Sequence, residues 1–168
     1  RFQFKFGIAS VVPLAHDVII VLGVFALFQW TFDLSVLAAL LAVIGYSLND
    51  TIVVADRIRE NFRKMREGGS EHIINESIHQ TISRTINTSG TTLVVLFALY
   101  FLGGEAINNF ALALIIGVVV GTYSSIYVSA NLLVALGVAR EDLIVPPKEG
   151  LAGQEEEEEQ PPEWLNRM

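Results

Sequence analysis

The chain has 168 residues, of which 52% are hydrophobic and 17% charged, and its formal net charge is −7. Its apolar residues are gathered into long runs, which is typical of an integral membrane protein and not of a water-soluble globular domain. The absence of cysteine excludes disulfides, thiolate metal sites and cysteine nucleophiles, and three scattered histidines do not suggest a metal cluster. Because the chain begins at Arg1, we expect it to be a fragment or a processed piece.

The first predicted span covers about residues 7–28 and follows an anchor of alternating basic or polar and aromatic residues, RFQFKF. About a third of the way along, the span contains Pro13 and then His16 and Asp17, two ionisable side chains inside an apolar run. A local hydrogen-bonded kink near Pro13 would account for both. A functional polar group within the membrane is the other interpretation.

The second predicted span covers about residues 34–55, with Asp33 as its N-cap. Asp50 lies roughly 24 Å along this helix from Leu34, and therefore within the membrane. An ionisable group there costs about 2.5–3.5 kcal/mol, so it normally faces protein or water and marks an ion or proton pathway. A polar group that only serves helix packing is the alternative. Helical geometry places four further polar side chains on faces shared with Asp50: Tyr46, Ser47, Asn49 and Thr51.

A basic amphipathic stretch follows the second span. Residues 56–66 contain five basic side chains with apolar ones between them at helical spacing, which predicts that the helix emerges along the headgroup surface. Gly68 and Gly69 end it, and Ser70 caps another helix. The isoleucines of that helix form one apolar stripe, which predicts an interfacial amphipathic helix between the second and third spans. They are Ile73, Ile74, Ile78 and Ile82.

The third predicted span, about residues 84–102, carries a polar stripe at spacings of three and four residues. The stripe comprises Thr81, Arg84, Thr85, Thr88, Thr91 and Thr92. Arg84 is its positive charge, and its long side chain can reach towards Asp50. An ionised Asp50 would pair with Arg84, and protonation of Asp50 would release Arg84 towards the threonine hydroxyls. Asp50 and Arg84 are together the minimum parts of a proton-responsive charge switch.

The fourth predicted span covers about residues 107–137. Its GxxxG pair, Gly117 and Gly121, continues into Ser124 and Ser125, and we interpret this small-residue face as a helix-packing surface. Residues 140–168 lose helical periodicity and contain two Pro-Pro pairs and five consecutive glutamates, which predicts a disordered cytoplasmic tail. The predicted organisation is a transmembrane helical domain at residues 1–139 followed by that tail.

The basic residues predict the orientation of the four spans. They precede the first span, lie between the second and third, and follow the fourth, whereas the other two connections contain none. By the positive-inside rule, both ends and the middle connection face the cytoplasm.

Four strings within these spans are specific enough to compare with known families. They are GYSLNDTIVVADRIREN at 45–61, TISRTINTSGTTL at 81–93, LAHDVII at 14–20 and IGVVVGTYSSIYVSA at 116–130. They closely resemble the SecF family of protein-export membrane subunits, which includes the SecF half of fused SecDF polypeptides. The resemblance covers most of residues 1–139. It implies an all-α membrane domain of the resistance-nodulation-division superfamily, corresponding to the last four of six family helices.

The resemblance also implies a function, namely a proton-motive-force-driven auxiliary subunit of the Sec translocase in the bacterial cytoplasmic membrane. Its partners would be SecD, the Sec channel and the translocating polypeptide. Position by position, Asp50 matches the family's proton-carrying aspartate and Arg84 its partner arginine, with Asn49, Thr85 and Thr88 as supporting polar groups. SecD would contribute a corresponding aspartate. An anchor helix, an exported domain and one further helix would precede this stretch in the family.

Two other functions remain open at this point. A scaffold subunit would hold Asp50 and Arg84 in a permanent ion pair that fixes helix register and moves no proton. A small-molecule or lipid exporter of the same superfamily is the third hypothesis, and the GYSLND and SRTINTSGTT strings weigh against it. We expect no enzyme, no metal and no cofactor apart from the coupling proton, because the sequence contains no nucleophile–base pair, metal cluster or phosphate-binding loop.

The orientation predicts where a label on the last connection reacts. Glu105→Cys in the full-length protein should react with an impermeant maleimide added outside spheroplasts, because this connection contains no basic residue. Gly69→Cys, in the basic middle connection, is the matched control and should react only after the membrane is permeabilised. Labelling of Glu105→Cys from the cytoplasmic side alone would contradict the orientation.

Overall fold

The computed structural model describes residues 4–65 and 68–138, which form an antiparallel helical bundle. Helix α1 comprises Phe4–Leu27, α2 Leu34–Lys64, α3 Ser70–Leu102 and α4 Glu105–Tyr123; a π-helical segment, Ser124–Val128, then continues α4 without a break into α5, Ser129–Ala135. With the last three elements counted as one, four helices in the described ranges are long and apolar enough to cross a membrane. This count confirms the four predicted spans. The predicted tail at residues 140–168 lies outside the described residues.

The predicted interfacial helix is not a separate element of this bundle. Residues from Ser70 onward form the first part of α3, which continues into the third span. Ile73 and Ile74 are buried in one apolar cluster with Ile58, Phe62 and Leu133, so protein and not lipid covers this part of the stripe. The residue before the helix, Gly69, provides no side-chain cap, and the prediction that Ser70 caps α3 was wrong.

The core of the bundle consists of two apolar clusters separated by polar residues. We call the end that holds the start of α1 and the α2–α3 connection the lower end, and the opposite end the upper end. The lower cluster comprises Phe6, Ala9, Val54, Ala55, Ile58, Phe62, Ile73, Ile74, Ala130, Leu133 and Val138. The upper cluster comprises Val21, Phe25, Val36, Ala39, Leu40 and Ala113. The buried polar residues Asp17, Ser47 and Ser124 fall between the two sets in sequence, and they form a polar layer across the bundle.

Hydrogen bonds join the helices at both ends of the bundle. At the lower end, Nζ of Lys5 donates to the carbonyl oxygen of Gly137 at 3.1 Å, so the two ends of the described chain meet there. At the upper end, Nδ2 of Asn109 donates to Oγ1 of Thr31 at 2.7 Å. Oδ1 of Asp33 accepts a hydrogen bond from the backbone N–H three residues later, which confirms the predicted N-cap of α2.

The small residues of α4 bring this helix close to α2. A Cβ added at Gly117 would lie 2.1 Å from Cγ2 of Val43, which is well inside van der Waals contact. A Cβ added at Gly121 would lie 3.2 Å from Cβ of Ser47. The two backbones can therefore approach this closely because these positions of α4 lack a side chain.

Gly117→Ala should destabilise the bundle by about 1–3 kcal/mol, because the new methyl group overlaps Val43, whose β-branched side chain has little freedom to rotate. Unfolding of the purified protein in detergent measures this loss. Gly90→Ala is the matched control, since nothing lies within 4 Å of a Cβ added there and alanine favours helix formation. Adding Val43→Ala to Gly117→Ala should recover most of the stability. Equal unfolding of the Gly117→Ala and Gly90→Ala proteins would contradict the contact.

Candidate functional site

A carboxylate on α1 lies at the centre of the polar layer. Asp17 is 1% exposed. Its Oδ2 accepts one hydrogen bond from Oγ of Ser47 on α2, at 2.6 Å, and another from Oγ of Ser124 in the π-helical segment, at 2.9 Å. A Cβ added at Gly121 would lie 3.5 Å from the same Oδ2, so this glycine forms part of the wall. Three helices therefore meet on a single carboxylate oxygen.

His16 and Asp17 are adjacent in sequence but differ in environment. Nδ1 of His16 lies 3.2 Å from Oδ1 of Asp17, yet the histidine side chain is 35% exposed. A local kink at Pro13 does not account for Asp17, because the partners of its other oxygen come from α2 and the π-helical segment. Across residues 4–65 and 68–138 there is no group of three or more His, Asp or Glu side chains that could hold a metal ion.

A second chain of hydroxyls links α2, α3 and α4. The Tyr46 hydroxyl donates to Oγ of Ser89 at 3.1 Å, and Oγ of Ser89 lies 2.7 Å from Oγ1 of Thr122. Thr122 in turn donates to the carbonyl oxygen of Val118 at 2.6 Å, which leaves Ser89 as the donor to Thr122. Sequence analysis missed Ser89 and Thr122, because single hydroxyls are common in membrane helices, although Ser89 lies four residues after Thr85 and three before Thr92, at the spacing of the predicted stripe.

Asp50 on α2 is the second buried carboxylate. It is 5% exposed, and its Oδ2 is buried without a hydrogen-bond partner among the described residues. Oγ1 of the neighbouring Thr51 is also buried and has no partner within the same ranges. Buried polar atoms are nearly always hydrogen-bonded, and an unpartnered one costs about 1–3 kcal/mol. Asp50 and Thr51 are therefore the positions of the described bundle where a further partner would stabilise most.

Asp50 lies at the level of Thr85 on α3. The two helices are antiparallel, and the hydrogen bond between Tyr46 and Ser89 fixes their register. Four residues, about one turn, along each helix from that bond lie Asp50 on α2 and Thr85 on α3. Thr85 is fully buried. A buried hydroxyl of α3 therefore stands opposite the carboxylate.

Arg84 does not pair with Asp50 in this structure. Among the described residues, no hydrogen bond or ion pair joins the two side chains. Thr81 and Thr85 occupy the buried face of α3, whereas Arg84 lies at the edge of that face, about 100° around the helix from Thr85 and about 60° from Thr81, and is exposed. Its charge acts on Asp50 only through a longer-range Coulomb interaction. The predicted ion pair therefore requires Arg84 to turn inward.

An open groove on the α2–α3 surface receives the Arg84 side chain. The groove is lined by Val53, Asp56, Arg57, Glu60, Gln80, Thr81 and Arg84. Nη1 of Arg57 donates to Glu60 at 2.7 Å, and its Nε donates to Gln80 at 2.7 Å. Hydrogen bonds from Lys64 and Arg57 lower the pKa of Glu60, which keeps this half-buried carboxylate ionised. The lower mouth of the groove thus carries both signs of charge.

The other side chains predicted to support Asp50 bond elsewhere. Ser47 and Tyr46 belong to the two networks described above. Thr88 donates to carbonyl oxygens of its own helix at 3.0 and 3.1 Å, and Asn49 is exposed. Residues that share a helical face in sequence are therefore drawn to different neighbouring helices in the bundle.

The chain as a whole is similar to known membrane proteins of protein export. The family model described as protein export membrane protein SecD/SecF, C-terminal, matches residues 1–139. The chain is 56% identical over 149 residues to protein translocase subunit SecF of Vibrio alginolyticus, a match that covers 89% of this chain and 47% of the relative. It is 55% identical over 148 residues to protein translocase subunit SecF of Haemophilus influenzae, covering 88% of this chain and 45% of the relative.

A solved structure shares the fold. The crystal structure of SecDF from Thermus thermophilus, a translocon-associated membrane protein, superposes with a TM-score of 0.78 and 51% sequence identity. The match covers 82% of this chain and 19% of that one. The chain spans a little under half the length of the SecF relatives that it matches. These findings confirm both the all-helical membrane fold and the resemblance, and the chain belongs to the SecD/SecF C-terminal family of protein export membrane proteins.

Proposed function

We propose that this chain is the membrane portion of an auxiliary Sec translocase subunit driven by the proton motive force, and that Asp50 binds and releases the coupling proton. The observation that carries the proposal is the buried, unpartnered Oδ2 of Asp50. It occurs in a chain whose relatives are named protein translocase subunits. The subunit works by changing conformation, without catalysing a reaction of its own.

The surroundings of Asp50 favour a group that changes its charge. A buried ionised carboxylate is stable only with donors or a counter-charge, and removing its charge by protonation avoids most of that cost. Oδ2 of Asp50 has no hydrogen-bond partner among the described residues, and the Arg84 side chain is exposed and makes no bond to it. Ionisation of Asp50 would therefore draw Arg84 inward, and protonation would let Arg84 return to the groove.

The groove offers Arg84 a place to go when Asp50 is protonated. Glu60 lines the same groove, so an acidic side chain is available near its lower end. The threonine stripe is less suited to this role, because a hydroxyl oxygen can accept a hydrogen bond from Arg84 but carries no charge to balance the guanidinium. Arg84 would therefore have two positions, one at the buried carboxylate of Asp50 and one in the exposed acidic groove. Protonation of Asp50 would shift the equilibrium between these positions.

The energy available from protons suits such a switch. One proton crossing about 100 mV releases roughly 2.3 kcal/mol, and each pH unit of gradient adds about 1.4 kcal/mol. The cost of an unpartnered buried polar atom, about 1–3 kcal/mol, is of the same size. A single proton per cycle is therefore enough to move the equilibrium between the two positions of Arg84.

The exposed face of α3 is the surface that SecD would cover. Its middle carries exposed polar side chains, among them Asn87, Thr88 and Thr91, beside exposed Val94 and Val95. Polar groups at this depth of a membrane normally face protein or water. The partner follows from the solved SecDF relative, in which both parts occur in one named protein. The lower end, which carries Lys5 and the basic α2–α3 connection, faces the cytoplasm in this proposal.

The scaffold hypothesis requires a permanent ion pair between Asp50 and Arg84. The described bundle contains the two residues in separate environments, one buried and the other exposed. Helix register is held instead by hydroxyl and amide contacts, such as those of Ser89 and Asn61. This arrangement supports the relay over the scaffold.

Asp50→Asn should abolish the gradient-stimulated part of protein export while expression and assembly stay near normal, because asparagine keeps the size and polarity of the side chain but cannot ionise. Export into membrane vesicles that contain the complete complex, with and without a proton gradient, measures this. Asp56→Asn is the matched control on the same helix. Its carboxylate is exposed and pairs with Arg59 at 3.5 Å, so export should stay within about twofold of the unaltered complex. Undiminished gradient-driven export by the Asp50→Asn complex would favour the scaffold.

Arg84→Lys should lower gradient-driven export only in part, because lysine keeps the charge but loses the planar fork that binds a carboxylate at two points. Arg84→Gln should abolish it. The exposed Arg63, at the end of α2, provides the control, and Arg63→Gln should leave export unchanged. If Arg84→Gln exported as well as Arg63→Gln in the same vesicles, Arg84 would have no part in the relay.

A further inference from the structure

Asp17 is a buried carboxylate that the proposed relay does not use. We propose that Asp17, with Ser47 and Ser124, forms a second proton-binding site of the bundle, in which the carboxylate of Asp17 binds and releases a proton. This inference rests on the proposed function for the use that is made of the proton, whereas proton binding itself can be measured without export.

The partners of Asp17 are the first argument. Oδ2 accepts hydrogen bonds from Ser47 at 2.6 Å and Ser124 at 2.9 Å. A lysine, an arginine or a backbone N–H can only donate, so such a partner would favour the ionised carboxylate alone. A serine hydroxyl both donates and accepts. The site is therefore built from partners that suit either protonation state.

Ser124 has a second acceptor within reach. Its Oγ lies 3.2 Å from the carbonyl oxygen of Gly121 as well as 2.9 Å from Asp17. When Asp17 is ionised, the Ser124 hydrogen points to Oδ2. When a proton forms an O–H bond at Oδ2, that group donates to Oγ of Ser124, and the Ser124 hydrogen turns to the Gly121 carbonyl. One proton is gained, no other covalent bond changes, and no buried hydroxyl hydrogen loses its acceptor.

The titratable groups around Asp17 can be named for each helix that packs against it. On α1, Nδ1 of His16 faces Oδ1 at 3.2 Å. On α2, Ser47 makes the contact and Asp50 lies one turn further along the same helix. On the fourth span, Tyr123 and Tyr127 flank Ser124 in sequence but are 57% and 51% exposed. His16 is therefore the titratable neighbour in direct contact, and it must be tested separately.

The proposed second proton-binding site lies close to Asp50 along α2. Ser47 precedes Asp50 by three residues, about 4.5 Å along α2, on the side of the upper end. In the proposed orientation the upper end faces away from the cytoplasm. A proton that moves down the gradient therefore reaches the level of Asp17 before that of Asp50. Two proton-binding sites in this order would divide one long proton transfer across the bundle into two shorter transfers.

Infrared difference spectroscopy tests the proposal, because a protonated carboxyl group has its own C=O stretching band. The full-length protein with its partner subunit, in lipid vesicles and in an Asp50→Asn background, should show a pH-dependent carboxyl band that moves on ¹³C-aspartate labelling. Adding Asp17→Asn should remove that band. Adding Ser124→Ala should shift it to higher frequency, because one hydrogen bond is lost, and this variant keeps the test available if Asp17→Asn does not fold. His16→Gln should leave the band in place.

Three results would overturn the proposal. They are the absence of any pH-dependent band that Asp17→Asn removes, a band that Ser124→Ala leaves unshifted, and a band that follows sodium concentration at constant pH. None of these depends on export, so failure of the second site and failure of the Asp50 relay are distinguishable. The relay fails if the Asp50→Asn complex still exports with a gradient, whatever the infrared band of Asp17 does.

Discussion

The burial of a carboxylate in the middle of a membrane bundle is the constraint on which the packing depends. The backbone of α1 uses its own donors within the helix, so Asp17 must obtain hydrogen bonds from other helices. Ser47 and Ser124 supply them, and both must come within 2.9 Å of one oxygen. That approach is possible because Gly117 and Gly121 allow α4 to lie against α2. The hydrogen bonds and the glycines are thus two parts of one packing arrangement.

The two buried carboxylates of the described bundle, Asp17 and Asp50, are held in opposite ways. Asp17 has partners on both oxygens and contributes to joining three helices. Asp50 has an open oxygen and an arginine that lies outside its reach in this arrangement. A carboxylate whose oxygens have hydrogen-bond partners can hold the helices together whether it is protonated or ionised. A carboxylate with an unpartnered oxygen is stabilised when a neighbouring donor moves towards it. In the proposed relay, this division would let one domain hold its shape at the level of Asp17 and change at the level of Asp50.

Much of the fold could be predicted because it depends on local pattern. Apolar runs gave four spans, and an isolated Asp50 within such a run was recognisable without a structure. The partners of each polar residue could not be predicted, since Ser47 shares a helical face with Asp50 yet donates to Asp17. Which face meets which helix depends on interhelical register, and the sequence of one helix does not contain it. The prediction that the stripe of Ile73 and Ile74 lies at the membrane interface was wrong for a similar reason, because an apolar stripe has the same pattern whether lipid or protein covers it.

The π-helical segment sets the rotational phase of the fourth span. At about 100° per residue, an unbroken α-helix would turn Ser129 about 120° away from the direction of Gly117. The backbone N–H of Ser129 instead bonds to the carbonyl of Ser124, five residues earlier, and this wider turn takes up one extra residue. It turns the rest of the helix back by about 100°, so that Ser129 and then Leu133 return to the interior, where both are fully buried. One wide turn therefore lets a single helix supply the glycine contact with α2, a hydroxyl for Asp17 and an apolar residue of the lower cluster.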